Sequence, residues 1–390
     1  MVNTLQANRI DQLELKPEKA FKILFVTPRY FPFIGGVENH VYQVARRLAS
    51  AGADVTVLST DPGKRLPVQE DHEGVTIRRV PAWPEKADYY YAPGIWDVVR
   101  NGPWDILHLQ SYHTLVAPAA MSAAWRAKIP YVVTFHGGGH SSRLRNVMRS
   151  AQMRMMRPLF AHASRLVATA KFEVSLYCRQ LHLPQEKFVY IPNGADIGSP
   201  APKRAGGPAE PLIVSVGRLE QYKGHQRILA AMPHILSKRP DAHLWIAGEG
   251  PYQAELERLA NRLGVSSQVT IRSIPAAQRQ EMVSELSKAA LMVLMSEFET
   301  HPMSVLEAAR LGLPVLVADT SGLSELAEQG IAKAIALESA PEQVAAAVLE
   351  QLERPMTPAK VELSTWDRCA ADLFTLYKEI ITDGGVNRSL

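Results

Sequence analysis

Residues 21–48 read FKILFVTPRYFPFIGGVENHVYQVARRL. Ile23, Leu24, Phe25 and Val26 form an apolar run too short for a helix, the pattern of a strand covered on both faces in a parallel sheet. A loop with Gly35 and Gly36 follows, and then Val37, Val41, Val44, Ala45 and Leu48 recur at the spacing of one helix face. Strand, loop and helix are the repeating unit of a doubly wound α/β sheet. Moving outward, strand-like runs recur at 55–58, 106–109, 131–135, 166–168 and 189–191, separated by helix-length stretches. Between Pro192 and Pro211 the composition turns to Pro, Gly, Ala and Lys, which predicts a linker over 196–211. The alternation restarts at 212–216 and continues at 243–247, 269–271, 292–295, 315–318 and 334–337. The expectation is two doubly wound domains, residues 21–195 and 212–365, facing each other across a cleft lined by strand-to-helix loops. Residues 1–20 read as a polar leader. Trp366, Leu373, Leu376, Tyr377 and Ile380 predict a terminal helix over 366–382 that packs across to the first domain.

Composition agrees with this plan, because 390 residues exceed what one hydrophobic core usually holds. A net charge of +4, spread along the chain, suits an anionic small substrate or a membrane surface and gives no reason to expect nucleic acid. Cys178 and Cys369 stand far apart, without metal-ligand spacing, so a reducing cytoplasm fits and neither a disulfide framework nor a zinc site is expected. The first 20 residues lack an apolar core, and no run of about 18 apolar residues occurs, so neither a signal peptide nor a membrane span is predicted.

The candidate chemistry collects in the predicted loops. Glu299-Thr300-His301-Pro302-Met303-Ser304-Val305-Leu306-Glu307 follows one strand and precedes another, with Gly312-Leu313-Pro314 between. Pro302 suits a helix's first turn, and the amides behind it, at Met303 and Ser304, attract a phosphate. Glu307, about one turn further in, can accept both hydroxyls of a ribose, and Glu299 can accept those of a sugar. Val216-Gly217-Arg218-Leu219-Glu220-Gln221-Tyr222-Lys223-Gly224 places two cations five positions apart after a glycine turn, a spacing that can embrace a diphosphate. Gly35 and Gly36 permit close approach of a phosphate or an acceptor, although a plain tight turn explains them equally well. His136-Gly137-Gly138-Gly139-His140 follows another strand. Arg143, Arg145, Arg149, Arg154, Arg157 and Arg165, interleaved with Met148, Met153, Met155, Met156, Leu159 and Phe160, fit a helix lying on anionic lipid, and fit an ordinary core-and-solvent helix as well.

Together these elements resemble glycosyltransferase family 4, over nearly the whole chain. The resemblance implies the GT-B fold, two Rossmann-like domains facing across a cleft, and transfer of a sugar from a nucleotide-diphosphate donor to a hydroxyl with retention of configuration. It implies that Glu307 binds the ribose, that Glu299 contacts the transferred sugar, and that Arg218 and Lys223 neutralise the leaving diphosphate in place of a metal. It further implies sugar contact by His136, a glycine-rich first loop at Gly35 and Gly36, donor contact at Gly217 and at Gly248 of the Gly248-Glu249-Gly250-Pro251 turn, and base contact through the backbone near Ile274. Asn193 and Gly194 belong to a Pro-Asn-Gly-x-Asp turn of the same family. This chain has Thr300-His301-Pro302 where the family usually has Gly-Phe-Gly. No cofactor is implied, and a uridine donor is favoured over a guanosine one. The implied setting is cell-surface polysaccharide, glycolipid or glycoconjugate synthesis with a carbohydrate or lipid-linked acceptor, in the cytoplasm and peripheral at the inner membrane face through residues 143–165. A nucleotide-sugar epimerase and a non-catalytic nucleotide-sugar-binding protein are the competing readings.

Overall fold

The computed structural model describes residues 20–33, 35–85, 90–137, 143–194, 211–275, 278–359 and 364–386. Nearly all of the leader and the linker, and with them Gly138, Gly139, His140, Ala195 and Asp196, lie outside the described residues. The first half runs β1 (Lys22–Val26), α1 (Gly36–Ser50), β2 (Asp54–Asp61), β3 (Gln69–His72), β4 (Val75–Pro81), α2 (Gly94–Asn101), β5 (Ile106–Gln110), α3 (Val116–Arg126), β6 (Tyr131–Thr134), α4 (Arg143–His162), β7 (Arg165–Ala168), α5 (Lys171–Leu181) and β8 (Phe188–Tyr190). The second runs β9 (Leu212–Val216), α6 (His225–Leu236), β10 (His243–Ala247), α7 (Gln253–Arg262), β11 (Val269–Ile271), α8 (Arg279–Lys288), β12 (Leu291–Leu294), α9 (Met303–Arg310), β13 (Val315–Ala318), α10 (Ser321–Glu328), β14 (Lys333–Ile335) and α11 (Pro341–Glu353), before α12 (Trp366–Val386) ends the described chain.

The first sheet has the order β3-β4-β2-β1-β5-β6-β7-β8 and the second β11-β10-β9-β12-β13-β14. Every strand pair is parallel except β3 with β4. Strand order reverses between β1 and β5 and again between β9 and β12, so each sheet has a switch point where neighbouring loops part and leave a crevice. These are two Rossmann-like domains.

The strands obey the physics that predicted them. Ile23 to Val26 are fully buried, helices cover both faces of the sheet, and the second sheet's strands β12 and β13 are buried throughout. β3 escaped prediction because Gln69-Glu70-Asp71-His72 carries no apolar residue: it is an edge strand held by ladder bonds and by Arg79, whose guanidinium donates to Glu70 and to the Phe31 carbonyl, while β4 beside it, with Val75, Ile77 and Val80 buried, was missed although it carries apolar residues. The terminal helix returns to the first sheet. Trp366, Cys369, Leu373 and Tyr377 share one core with Ile23, Phe25, Val41 and Val44, and Asp367 accepts from Arg47 at 2.6 Å. Gly194 permits that return, since a Cβ there would fall 2.1 Å from the Trp366 amide nitrogen. Among the described residues, no helix is long and apolar enough to cross a membrane.

Candidate active site

The loop after β9 starts from backbone packing. Gly217 donates its amide to Ala247, and a Cβ on Gly248 would lie 1.9 Å from the Gly217 carbonyl, so Gly248 is glycine to let two loops touch. Gly224 closes the loop in the left-handed region (φ 75°) against the Met295 carbonyl. Between these turns, Arg218 donates to the Tyr222 hydroxyl at 2.9 Å and pairs with Glu220 at 3.2 Å. Its side chain is 60% exposed, which leaves much of the guanidinium open to a ligand. Lys223 donates to Glu299 at 2.6 Å across a nearly buried pair. Burial pulls the lysine pKa down, the Glu299 carboxylate outweighs it, and the net shift is upward, so the ammonium stays charged.

The Glu299 to Glu307 segment is a loop and a helix start. Glu299 is held by its amide donating to Ser321 at 2.9 Å and its carbonyl accepting from Gly322 at 2.9 Å. Pro302 caps α9 and Met303 is the first helical residue, so the amides of Met303 and Ser304 precede the helix's own bonding ladder. The Ser304 hydroxyl donates to the Val216 carbonyl at 3.3 Å, which occupies the side chain and ties α9 to the β9 loop. Glu307 is buried in the same helix. His301, in the departing Thr300-His301-Pro302 sequence, is neutral, its pKa lowered to about 4 by burial, with a buried Nδ1 lacking a hydrogen-bond partner.

The opposite wall comes from β1, β5 and β6. His136 follows β6 with φ 43° and donates from Nε2 to Gln110 at 2.6 Å. Burial and the neighbouring His40 and His108 hold its pKa well below the usual value, so it is a neutral imidazole. Its ring meets His40 edge-on at 4.7 Å, and His40 donates to Asn193 at 2.8 Å. The next residue, Gly137, brings the two domains together: a Cβ there would lie 3.0 Å from the Thr300 methyl, 3.0 Å from Glu173 Oε1 and 2.7 Å from the Tyr177 hydroxyl. Elsewhere along the same seam, Glu325 of α10 accepts from the amides of Lys171 and Phe172 at 2.8 and 3.3 Å, and the Phe172 and Phe298 rings meet edge-on.

Arg218, Lys223, Glu299, Glu307, His136 and the amide-bearing start of α9 thus lie at the carboxyl edges of the two sheets, as does the Gly35–Gly36 turn. Gly248 is explained by packing instead. Ile274 puts its side chain in the second core, leaving only its backbone for a ligand. Gly36 faces open space, but Gly35 is covered by Glu38. Thr300, Gly137 and Glu325 escaped sequence reasoning because their partners are distant in the chain. A concavity of about 550 Å³ lined by Asp105, Trp125, Arg126, Lys128, His162 and Ile380 opens where β5 and β6 begin, at the end of the sheet away from these loops.

Residues 34–199 match the family Glycosyltransferase Family 4, and residues 202–363 match Glycosyl transferases group 1. The chain belongs to the family 4 glycosyltransferases. Among curated relatives of this glycosyltransferase is the GDP-mannose:cellobiosyl-diphosphopolyprenol alpha-mannosyltransferase of Xanthomonas oryzae pv. oryzae, 26% identical over 84% of this chain and 87% of the relative. The D-inositol 3-phosphate glycosyltransferase of Thermobispora bispora is 28% identical over 89% of this chain and 90% of the relative. Among solved structures, Anabaena Alr3699/HepE in complex with UDP superposes with a TM-score of 0.67 at 18% identity, over 95% of this chain and all of the other. The GT-B architecture follows, and with it an enzyme that moves a sugar from a nucleotide-sugar donor.

Proposed function

We propose that this glycosyltransferase transfers its sugar with retention of configuration and without a metal. The observation that carries the reading is the charged pair of Lys223 and Glu299 beside the start of α9, with Arg218 open next to it. Arg218 and Lys223 stabilise the charge that develops on the leaving diphosphate, the work a divalent ion would otherwise do. Glu299 orients sugar hydroxyls, Glu307 holds the ribose, the Gly217 turn and the Met303 and Ser304 amides receive phosphate oxygens, and His136 contacts the sugar from the opposite wall. The acceptor oxygen attacks the anomeric carbon on the face from which the diphosphate departs, the carbon–oxygen bond to diphosphate breaks, and a diphosphate oxygen takes the acceptor's proton. Domain closure at Glu325 and Phe298 excludes water, which would otherwise hydrolyse the donor.

A UDP-sugar is the proposed donor, with GDP-sugars the alternative that the Xanthomonas relative's named donor keeps open. The proposed acceptor is a carbohydrate or a lipid-linked glycan, reached in the cytoplasm at the inner membrane face. Met155 in α4 is 81% exposed and supports membrane contact, whereas Arg157 donates to the Leu181 carbonyl at the end of α5 and is committed to that helix. Purified protein incubated with a panel of UDP- and GDP-sugars plus a chelator should slowly hydrolyse one of them, and Lys223→Ala should abolish this. Undiminished turnover in the variant would refute the diphosphate role, and an epimerised donor would favour the epimerase reading. Sedimentation with anionic liposomes at low salt tests the membrane contact, and protein left in the supernatant removes it.

A further inference from the structure

Every residue of β5 is buried, and two of its five are polar. His108 is satisfied on both sides: its ring nitrogens bond the Tyr377 hydroxyl and, at 2.7 Å, the Thr134 hydroxyl. Gln110, two residues on and on the same face, is not. Its Oε1 accepts from His136 at 2.6 Å, but its Nε2 is buried and has no hydrogen-bond partner among the described residues. A sealed amide with its donors unused costs stability that an apolar side chain of similar size would not. The fold alone therefore gives no reason for glutamine at this position. Its one hydrogen bond goes to the imidazole proposed to meet the sugar.

That bond decides what His136 offers. A neutral imidazole carries a single N–H, and with it committed at Nε2 to Gln110, Nδ1 is an acceptor. The ring is held from two elements, by Gln110 on β5 and by the His40 ring on α1, and His40 is itself tied to Asn193. Such support suits a residue in the left-handed region with a side chain, a conformation that the surroundings must over-determine. We propose that Gln110 is a positioning residue: it locks His136 in the tautomer whose Nδ1 accepts a hydrogen bond from a hydroxyl of the transferred sugar. The sugar is then read as a hydrogen donor at that point. This rests on the proposed contact of His136 with the sugar.

The test compares wild type with Gln110→Met, Gln110→Glu and His136→Ala. Long-range proton–nitrogen NMR of the histidine rings, with the His136 signals identified by their loss in His136→Ala, should show the Nε2-protonated tautomer in wild type and a mixture in Gln110→Met. Gln110→Met should melt no lower than wild type yet hydrolyse the nucleotide-sugar donor about tenfold more slowly, the reverse of what a structural role predicts. Gln110→Glu places a carboxylate against the imidazole and favours the imidazolium, whose second proton blocks Nδ1. On acidification its hydrolysis should therefore be lost at a higher pH than that of wild type. Burial, His40 of α1, His108 of β5 and His113 after it all favour the neutral imidazole, and Glu173 of α5 lies beside Gly137. These groups are the same in both proteins, so the difference between the profiles reports residue 110. An Nδ1-protonated wild type, undiminished hydrolysis in Gln110→Met or a wild-type pH profile in Gln110→Glu overturns the positioning role. Hydrolysis at the wild-type rate in His136→Ala overturns the sugar contact itself, which the tautomer spectra do not test.

Discussion

Lys223 and Glu299 illustrate how a site residue is chosen by its surroundings. An ammonium buried beside a carboxylate remains charged, so in the proposed reading a diphosphate bound next to Arg218 would meet a cation already fixed in place. Glu307→Gln should weaken UDP binding by roughly 10-fold, since a neutral amide is a poorer acceptor for ribose hydroxyls; titration calorimetry reads this directly. The buried histidines set a pH dependence. His40, His225 and His301 have pKa values lowered to about 4, chiefly by burial, against an ordinary value near 6.5. The unfolded chain binds protons there first, so the stability these groups contribute is complete above about pH 6.5 and drains as pH falls toward 4. Urea midpoints measured from pH 7 to pH 4 should decline across that window; a flat profile would show that these imidazoles are solvated.

Among elements, the loop from Glu299 to Pro302 depends on α10. Gly322 donates its amide to Glu299, and a Cβ there would stand 1.8 Å from the Thr300 carbonyl. Gly322→Ala must therefore push the loop away, and with it Glu299 and the start of α9. The expected outcome is intact far-UV circular dichroism, a Tm lower by several degrees, consistent with about 1–3 kcal/mol for a core overpacking, and donor hydrolysis reduced more than tenfold. Unaltered hydrolysis would mean that the loop's position is not critical. Gly224 sits under a similar constraint at the Met295 carbonyl, but with a positive φ added, so alanine there is strained twice over.

For the whole molecule, the two domains meet at a few defined points: Glu325 at the start of α5, Phe298 on Phe172, Thr300 against Gly137, and Met303 packed into cores of both domains. Glu325 is bonded to two amides at a helix N-terminus, where a carboxylate is favoured by the helix dipole as well. Glu325→Ala should loosen closure: a larger radius of gyration in small-angle scattering with UDP bound, a lower kcat, and little change in UDP affinity, because the proposed nucleotide contacts at Arg218, Lys223 and Glu307 belong to the second domain. An unchanged radius and kcat would show that Glu325 does not hold the domains.

Much of this was legible in residues 21–48 and their echoes, because a strand covered on both faces must be apolar throughout and the following helix must be apolar on one side. Those demands are local, so the two doubly wound units, the terminal helix and the loops bearing Arg218, Lys223, Glu299 and Glu307 could be read along the chain, whereas the packing of that helix on the first sheet is a contact between residues 320 apart. The edge strand β3 could not, because an edge strand exposed to water needs no apolar residues. What the glycines are for was decided only in three dimensions: Gly248 meets Gly217, Gly322 meets Thr300, and Gly35 meets the side chain of Glu38. By itself, then, the sequence determined the class of fold and the residue types at the cleft, through periodicity and composition. Only the tertiary structure decided which charges face one another, that Lys223 holds Glu299 and that Glu325 reaches α5, because those pairs are 76 and 154 residues apart and their energy depends on distance in space.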